Sequence, residues 1–348
     1  MNEIISSSTL TDENKARAEA LVSEYPNQWQ DFDCQVVGAE VPVVVELPET
    51  DWLYVGKIDL LCQQNDQLVM VEHKTRSGEI DKFYDPYYQR LGFDGQLSAY
   101  YLAQYCQGNP IERTVYDVIR KITTRPKRIP KGKDGTVGTL SEIAEQGTYY
   151  QVPLHPDVGE MALERGKEDA QLYGYRIKTE VAAKPSSYFQ QYTAIDRTKD
   201  QLADYTRQLL QVCNDIDRAQ LDGAWYQNTA NCFSYGSTCE YFDLCRGVSH
   251  ADDPARWQGR EGSDISGARN ISHSRATCFQ SCRRKYYWRY VKRIQPVKTN
   301  TVHLDFGKVI HEVLESYWLS KGEKDASNRK PYQGKGSERT SAAVGSKD

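Results

Sequence analysis

The stretch with the clearest chemical content is Gly56-Lys57-Ile58-Asp59, the polar run Gln63-Gln64-Asn65-Asp66, and then Val69-Met70-Val71-Glu72-His73-Lys74-Thr75. Two segments rich in strand-forming residues around a polar turn predict a hairpin over 52–62 and 67–75. Side chains two apart on a strand share a face, so Glu72 and Lys74 point together and His73 points away. With Asn65-Asp66 as the turn, Gln64 pairs with Gln67 and Asp59 falls opposite Glu72. Two carboxylates that close raise one another's pKa unless a cation lies between them. Hard oxygen ligands of this kind suit Mg²⁺, which keeps several waters and takes further oxygens from phosphate. By itself the motif also reads as a solvated, surface-facing hairpin with an ordinary Glu–Lys pair.

Cysteines form the second constellation. Cys232, Cys239 and Cys245 stand in one run with gaps of six and five residues. Zinc ribbons space their pairs by about two to four residues, so these gaps disfavour zinc without excluding it. A four-thiolate site needs one more ligand, and Cys278 and Cys282 are the candidates. Cys34, Cys62, Cys106 and Cys213 read as ordinary buried residues.

Charge is unevenly spread. The net charge of −4 divides into −13 over the first 269 residues and +9 from Asn270 onward. Arg283–Lys298 holds seven basic residues and no acid, among them Arg283, Arg284, Lys285 and Arg289. Arg120–Lys133 is the second such segment, beginning with Arg120 and Lys121 and including Lys131 and Lys133. Concentrated cations on an acidic chain fit local phosphate contacts, and Tyr286, Tyr287, Trp288 and Tyr290 could stack on bases. The same aromatics could equally be the buried stripe of a helix.

Positioning these groups requires a folded core, and a hydrophobic share of 39% beside 26% charged residues supplies one. That balance excludes global disorder, collagen and coiled-coil classes. No apolar run approaches a membrane span, and the acidic N-terminus lacks the positive charge of a secretion signal, so a cytoplasmic protein is expected. In a reducing compartment nine cysteines point to metal ligation rather than disulfides. The patterning predicts a helix over Thr11–Trp29, capped by Thr11, and a valine-rich strand over Gln35–Leu47. A helix over Phe93–Gln107, capped by Asp94, and a strand over Thr114–Ile122 complete a mixed α/β layer. Further helices are expected at Asp157–Tyr175, Thr198–Gln220 and Thr301–Leu319. The implied organisation is a core over 1–135, a helical region with the three cysteines over 136–245, a linker over 246–269, a segment over 270–321 and a disordered tail over 322–348.

Asp59, Glu72-His73-Lys74, and Gln96 with Tyr100 on the next helix resemble the RecB-like branch of the PD-(D/E)XK nucleases, which carries an Asp, an (Asp/Glu)-x-Lys and a Gln-x-x-x-Tyr helix in this order. Glu40 lies on a strand where that family often has another acid. The resemblance implies a restriction-endonuclease-like α/β core, with Asp59, Glu72 and the His73 carbonyl around a catalytic Mg²⁺ or Mn²⁺. Lys74 would position or activate water, and Gln96 and Tyr100 would brace the site or touch DNA. The run around Cys278 and Cys282 is similar to the segment that opens iron–sulfur members such as the AddB nuclease domain and many phage exonucleases. Those enzymes close a [4Fe–4S] cluster between one early and three late cysteines. By that resemblance Cys282 joins Cys232, Cys239 and Cys245, although Arg283 replaces the usual proline.

The order of segments is unusual. Asn270–Lys321, including the Gly307-x-x-x-His311 helix that would supply a metal-ligand histidine, matches the end that normally comes first. Either a circular permutation or a truncated second copy explains this. A permutation requires His311 to lie within a few ångströms of the two carboxylates of its own chain. The implied activity is that of a metal-dependent deoxyribonuclease, an exonuclease of repair, recombination or phage replication, acting in the cytoplasm of its own cell or of a phage host. A catalytically relict DNA-binding iron–sulfur module and a restriction-type endonuclease are the alternatives. A helicase or recombination partner is compatible with such an enzyme, and no motif names one.

Overall fold

A computed structural model describes residues 1–82, 84–128, 148–149, 152–153, 168–234, 237–260, 269–297 and 302–326. Its principal helices are α1 (Asn2–Ser7), α2 (Asp12–Glu24), α3 (Gly95–Cys106), α4 (Ala170–Ala183), α5 (Lys199–Asp222), α6 (His273–Ser281) and α7 (Val302–Ala326). The strands are β1 (Gln35–Glu46), β2 (Trp52–Gln64), β3 (Gln67–Arg76), β4 (Ile111–Arg120), β5 (Phe189–Ile195), β6 (Trp257–Gly259), β7 (Arg269–Ile271) and β8 (Ile294–Pro296). The main sheet runs β1-β2-β3-β4-β5, with β7 paired parallel to the start of β2. β3 and β4 are parallel, and α3 makes the crossover that such a pair requires.

Helices cover both faces. On one side α3, α5 and α6 pack over Ile58, Leu61, Met70, Tyr116 and Val118. On the other, α1, α2, α4 and α7 bury Leu60, Val69, Val71, Val115 and Ile119. This double coverage explains why β3 and β4 read as near-continuous apolar runs rather than clean alternation.

The hairpin forms in the expected register, with Gln64 opposite Gln67 and Leu60 opposite Val71. Asn65 and Asp66 have φ of 50° and 62°, the left-handed pair that a two-residue turn of this twist demands. The Thr11 and Asp94 caps also form, Thr11 accepting from the Asn14 amide and Asp94 from those of Gln96 and Leu97.

Other expectations need correction. The helix expected over Asp157–Tyr175 is α4, which starts at Ala170 because Asp169 caps it and runs on to Ala183; residues 157–167 lie outside the described ones. The segment read as a linker is folded over 246–260. There Trp257 stacks on Tyr241 at 5.6 Å and β6 pairs with β8, while 261–268 lie outside the described residues. Helix α7 continues to Ala326, past Lys321 where a tail was expected, and 327–348 lie outside the described residues. So do Lys131, Lys133 and Lys298 of the basic segments. The segments separated along the chain share cores: Ile271 and Phe279 enter one, and Ile310, Val313 and Trp318 the other.

Candidate metal and nuclease site

Beyond the Leu60–Val71 pair, β2 and β3 part, and the Asp59 carboxylate fills the gap: its Oδ2 accepts the His73 amide at 2.8 Å. Glu40 stands opposite Asp59 on β1, since Ala39 pairs with Leu60 and Val41 with Ile58. Glu40 has φ of 51°, a strained backbone for a non-glycine residue, which aims its side chain at the Lys57 ammonium 2.6 Å away. From the opposite end of the chain, α7 brings His311, whose Nδ1 is 3.8 Å from Asp59 Oδ2. Glu40, Asp59 and His311 thereby gather one ligand atom each within 4.8 Å of one another, a group that could hold a metal ion. At Gly307 the helix comes close to the end of β3, where an added Cβ would make an ordinary 3.4 Å contact with Thr75 Oγ1.

Glu72 stands beside this trio rather than in it. Its carboxylate is fully buried, bonded to the Lys74 ammonium, and burial pushes its pKa up to about 7 despite that cation. The hairpin is therefore not surface-facing at Glu72, as its sequence suggested, because α3 and α6 cover that face. Glu72 Oε2 is buried without a hydrogen-bond partner. An orphaned carboxylate oxygen beside a carboxylate–imidazole group is a donor set that fits a divalent cation. For Lys74, burial opposes the charged form, but Glu72 and Asp59 outweigh it and hold the ammonium protonated. Burial lowers the pKa of His311, which favours the neutral ring a metal requires.

The Gln96–Tyr100 pair is drawn to the same place. Gln96 Nε2 donates to the Tyr100 hydroxyl at 2.8 Å, and that hydroxyl donates to the Lys57 carbonyl at 2.6 Å, two residues before Asp59. Tyr100 can lie so low over β2 because Gly56 lacks a Cβ, which would meet the Tyr100 ring at 2.9 Å. Gly56→Val should therefore cost about 1–3 kcal/mol through overpacking. Thermal melts check this, and a variant as stable as the parent would show that the close approach is not needed.

Sequence reasoning missed a layer behind the metal group. The His73 ring, on the α2/α7 face, bonds Asp117 Oδ2 at 2.9 Å, and the Tyr25 hydroxyl donates to the same oxygen at 2.9 Å. Burial alone would lower the His73 pKa, but the Asp117 bond and charge raise it. A lone acid inside the apolar run Val115–Ile119 was the available signal.

Cys239 packs against a third small core of Tyr241, Leu244 and Trp257. The Cys239 amide donates to the Cys232 carbonyl at 2.8 Å, and Asn228 joins the segments, its amide 3.4 Å from Cys282 Sγ. Cys245 lies near both Cys239 and Cys282; Cys278, which packs against the main core with its thiol pushed up to about 11 by burial, also lies near Cys282. Among the described residues no three cysteine sulfurs converge as closely as the trio at Asp59.

The basic aromatic run is largely engaged within the chain. Arg283 pairs with Asp215 at 3.1 Å, and Glu240 takes Lys285 at 3.4 Å and Arg289 at 2.9 Å. Tyr286 is buried and stacks on Trp225, so it belongs to a packed stripe. Arg284 has its Nε buried against the protein. Arg120 ends β4 and Lys121 follows it, its ammonium 5.6 Å from the Phe306 ring.

No helix among the described residues is long and apolar enough to cross a membrane. Comparison with curated proteins and with solved structures gave no match. The family model of the PD-(D/E)XK nuclease superfamily, in contrast, matches residues 2–246 and 270–343. These two blocks contain the Asp59 hairpin, the Gln96 helix and the His311 helix, so the chain belongs to the PD-(D/E)XK nuclease superfamily.

Proposed function

We propose that the protein is a metal-dependent deoxyribonuclease of exonuclease type that carries a [4Fe–4S] cluster. The observation that carries this reading is the meeting of Glu40, Asp59 and His311 within 4.8 Å, beside the buried Glu72–Lys74 pair. Asp59, His311, Glu40 and the free oxygen of Glu72 would hold Mg²⁺ or Mn²⁺, with the His73 carbonyl as a further oxygen donor. A bound divalent ion there neutralises charge developing on a phosphodiester and its leaving oxygen. Lys74 is the general positioning group: held protonated by Glu72 and Asp59, it orients a water and donates to a phosphate oxygen. Gln96 and Tyr100 fix the β2 backbone at Lys57 and so the position of Asp59. Mixed nitrogen and oxygen donors would let the site take Mn²⁺ as well as Mg²⁺.

Cys232, Cys239, Cys245 and Cys282 are the proposed cluster ligands. The contact of the Asn228 amide with Cys282 favours Cys282 as the fourth. The segment order is proposed to be a circular permutation, since His311 reaches the Asp59 site of its own chain.

The test is cleavage of end-labelled linear and covalently closed circular DNA with Mg²⁺ or Mn²⁺. Release of nucleotides from linear DNA alone is expected. Cleavage of the circle would indicate a restriction-type endonuclease, and binding without cleavage a relict module.

A further inference from the structure

A separate cavity of about 290 Å³ opens where β3 and β4 end, between α2 and the start of α7. Its lining is one-sided in charge. Arg17, Lys121 and Arg125 supply three cationic side chains, Asn14, Ser77 and Thr123 supply neutral hydrogen-bonding groups, and among the described residues no acidic one lines it. Arg17 is held in place: its Nε donates to the Tyr173 hydroxyl at 2.8 Å and its NH2 to the Thr124 carbonyl at 3.0 Å, while Glu13 approaches only to 3.8 Å. The Lys121 amide is tied to the Arg76 carbonyl at 2.7 Å, which fixes the backbone that presents its side chain. Preset cations around an open volume, with hydroxyl and amide donors between them, form a receptor for a phosphate group.

Its distance from the metal group gives that phosphate a place. Phe306, on the cavity wall, and His311 lie on one helix five residues apart, about 7.5 Å along the axis. Ser77 likewise follows Thr75, which Gly307 meets, by two residues. The separation is of the order of one nucleotide in an extended strand.

We propose that this cavity holds the phosphate next to the one cleaved at the Asp59 site, a reading that rests on the nuclease function proposed above. The occupant is a phosphate of a DNA strand, either a terminal one or a neighbouring backbone phosphodiester. A receptor one nucleotide from the site sets how far an end can advance before cleavage.

The double variant Lys121→Gln/Arg125→Gln tests this and leaves the structural Arg17 in place. Binding of labelled single-stranded oligonucleotides is measured by fluorescence anisotropy with Ca²⁺ replacing Mg²⁺, over a range of salt. The variant should bind about tenfold more weakly, the cost of one charged hydrogen-bonded contact. Its slope of log affinity against log salt should fall by about 0.7, the value for one phosphate contact on a single strand. A loss confined to oligonucleotides with a terminal phosphate identifies the end group, and an equal loss on circular single strands identifies a backbone phosphate; both support the proposal. In parallel, inorganic phosphate should raise the melting temperature of the parent more than that of the variant. Unchanged affinity and slope in a protein that cuts DNA would overturn the cavity assignment alone. A parent that takes inorganic phosphate here, yet neither binds nor cuts DNA, would overturn the nuclease reading and DNA as the source of the phosphate.

Discussion

Asp59→Asn, Glu72→Gln and Lys74→Met should each lower Mg²⁺-dependent cleavage by roughly 10³-fold or more, the scale of losing a group that meets charge in the transition state. Fold should survive because each change is nearly isosteric. The amide introduced by Asp59→Asn retains an oxygen for the His73 amide, which Asp59 accepts at 2.8 Å. Glu72→Gln removes a charge from a fully buried position where burial already pushes the carboxyl up to about 7. Alanine would be a poorer probe at Glu72, since it would open a cavity and strand the Lys74 ammonium. Circular dichroism melts establish folding, and single-turnover cleavage measures the effect. Near-parental activity in Asp59→Asn would refute the site assignment.

The second large effect concerns the cysteines. Anaerobically purified protein is expected to be brown, and Cys232→Ser, Cys239→Ser, Cys245→Ser or Cys282→Ser should each bleach it. Cys278→Ser and Cys34→Ser should keep the colour, since the first packs in the main core and the second lies buried near α2. A cluster would tie Cys282, at the end of α6, to the segment ending at Cys245, across a stretch whose own core is only Tyr241, Leu244 and Trp257 with a few neighbours. Ligand energy released on folding is then a large share of local stability. Loss of a ligand should cost about 3 kcal/mol and lower the melting temperature by roughly 4 °C. Iron and sulfide analysis with visible absorbance decides the matter. A colourless protein with stoichiometric zinc would replace the cluster by a zinc site.

Local chemistry made the hairpin legible. The Asn65-Asp66 turn set its register, and register set which side chains met. Caps at Thr11 and Asp94 were legible for the same reason, because each bonds amides within three residues. Burial of Glu72 was not, since it depends on α6, some 200 residues further along the chain. The left-handed backbone at Glu40 has no local signature; a Glu in a valine-rich strand gives no warning of positive φ. The short strands β6 to β8 escaped because three residues hold too little pattern against a Gly/Ser/Asp-rich background. The cations of Arg283–Arg289 looked available because their partners, Asp215 and Glu240, stand far off in sequence.

Because Asp59 lies on β2 and His311 on α7, the metal group has a birth time. At about 5–20 residues per second, synthesis from Asp59 to His311 takes roughly 13–50 s. Throughout that interval the hairpin and the Gln96 helix are already synthesised while the imidazole is not. On the proposed assignment of His311, the metal group is complete only once α7 docks against β1 and β3. With residues 270–326 placed ahead of residue 1, about 74 residues would separate His311 from Asp59, which would shorten the interval to roughly 4–15 s.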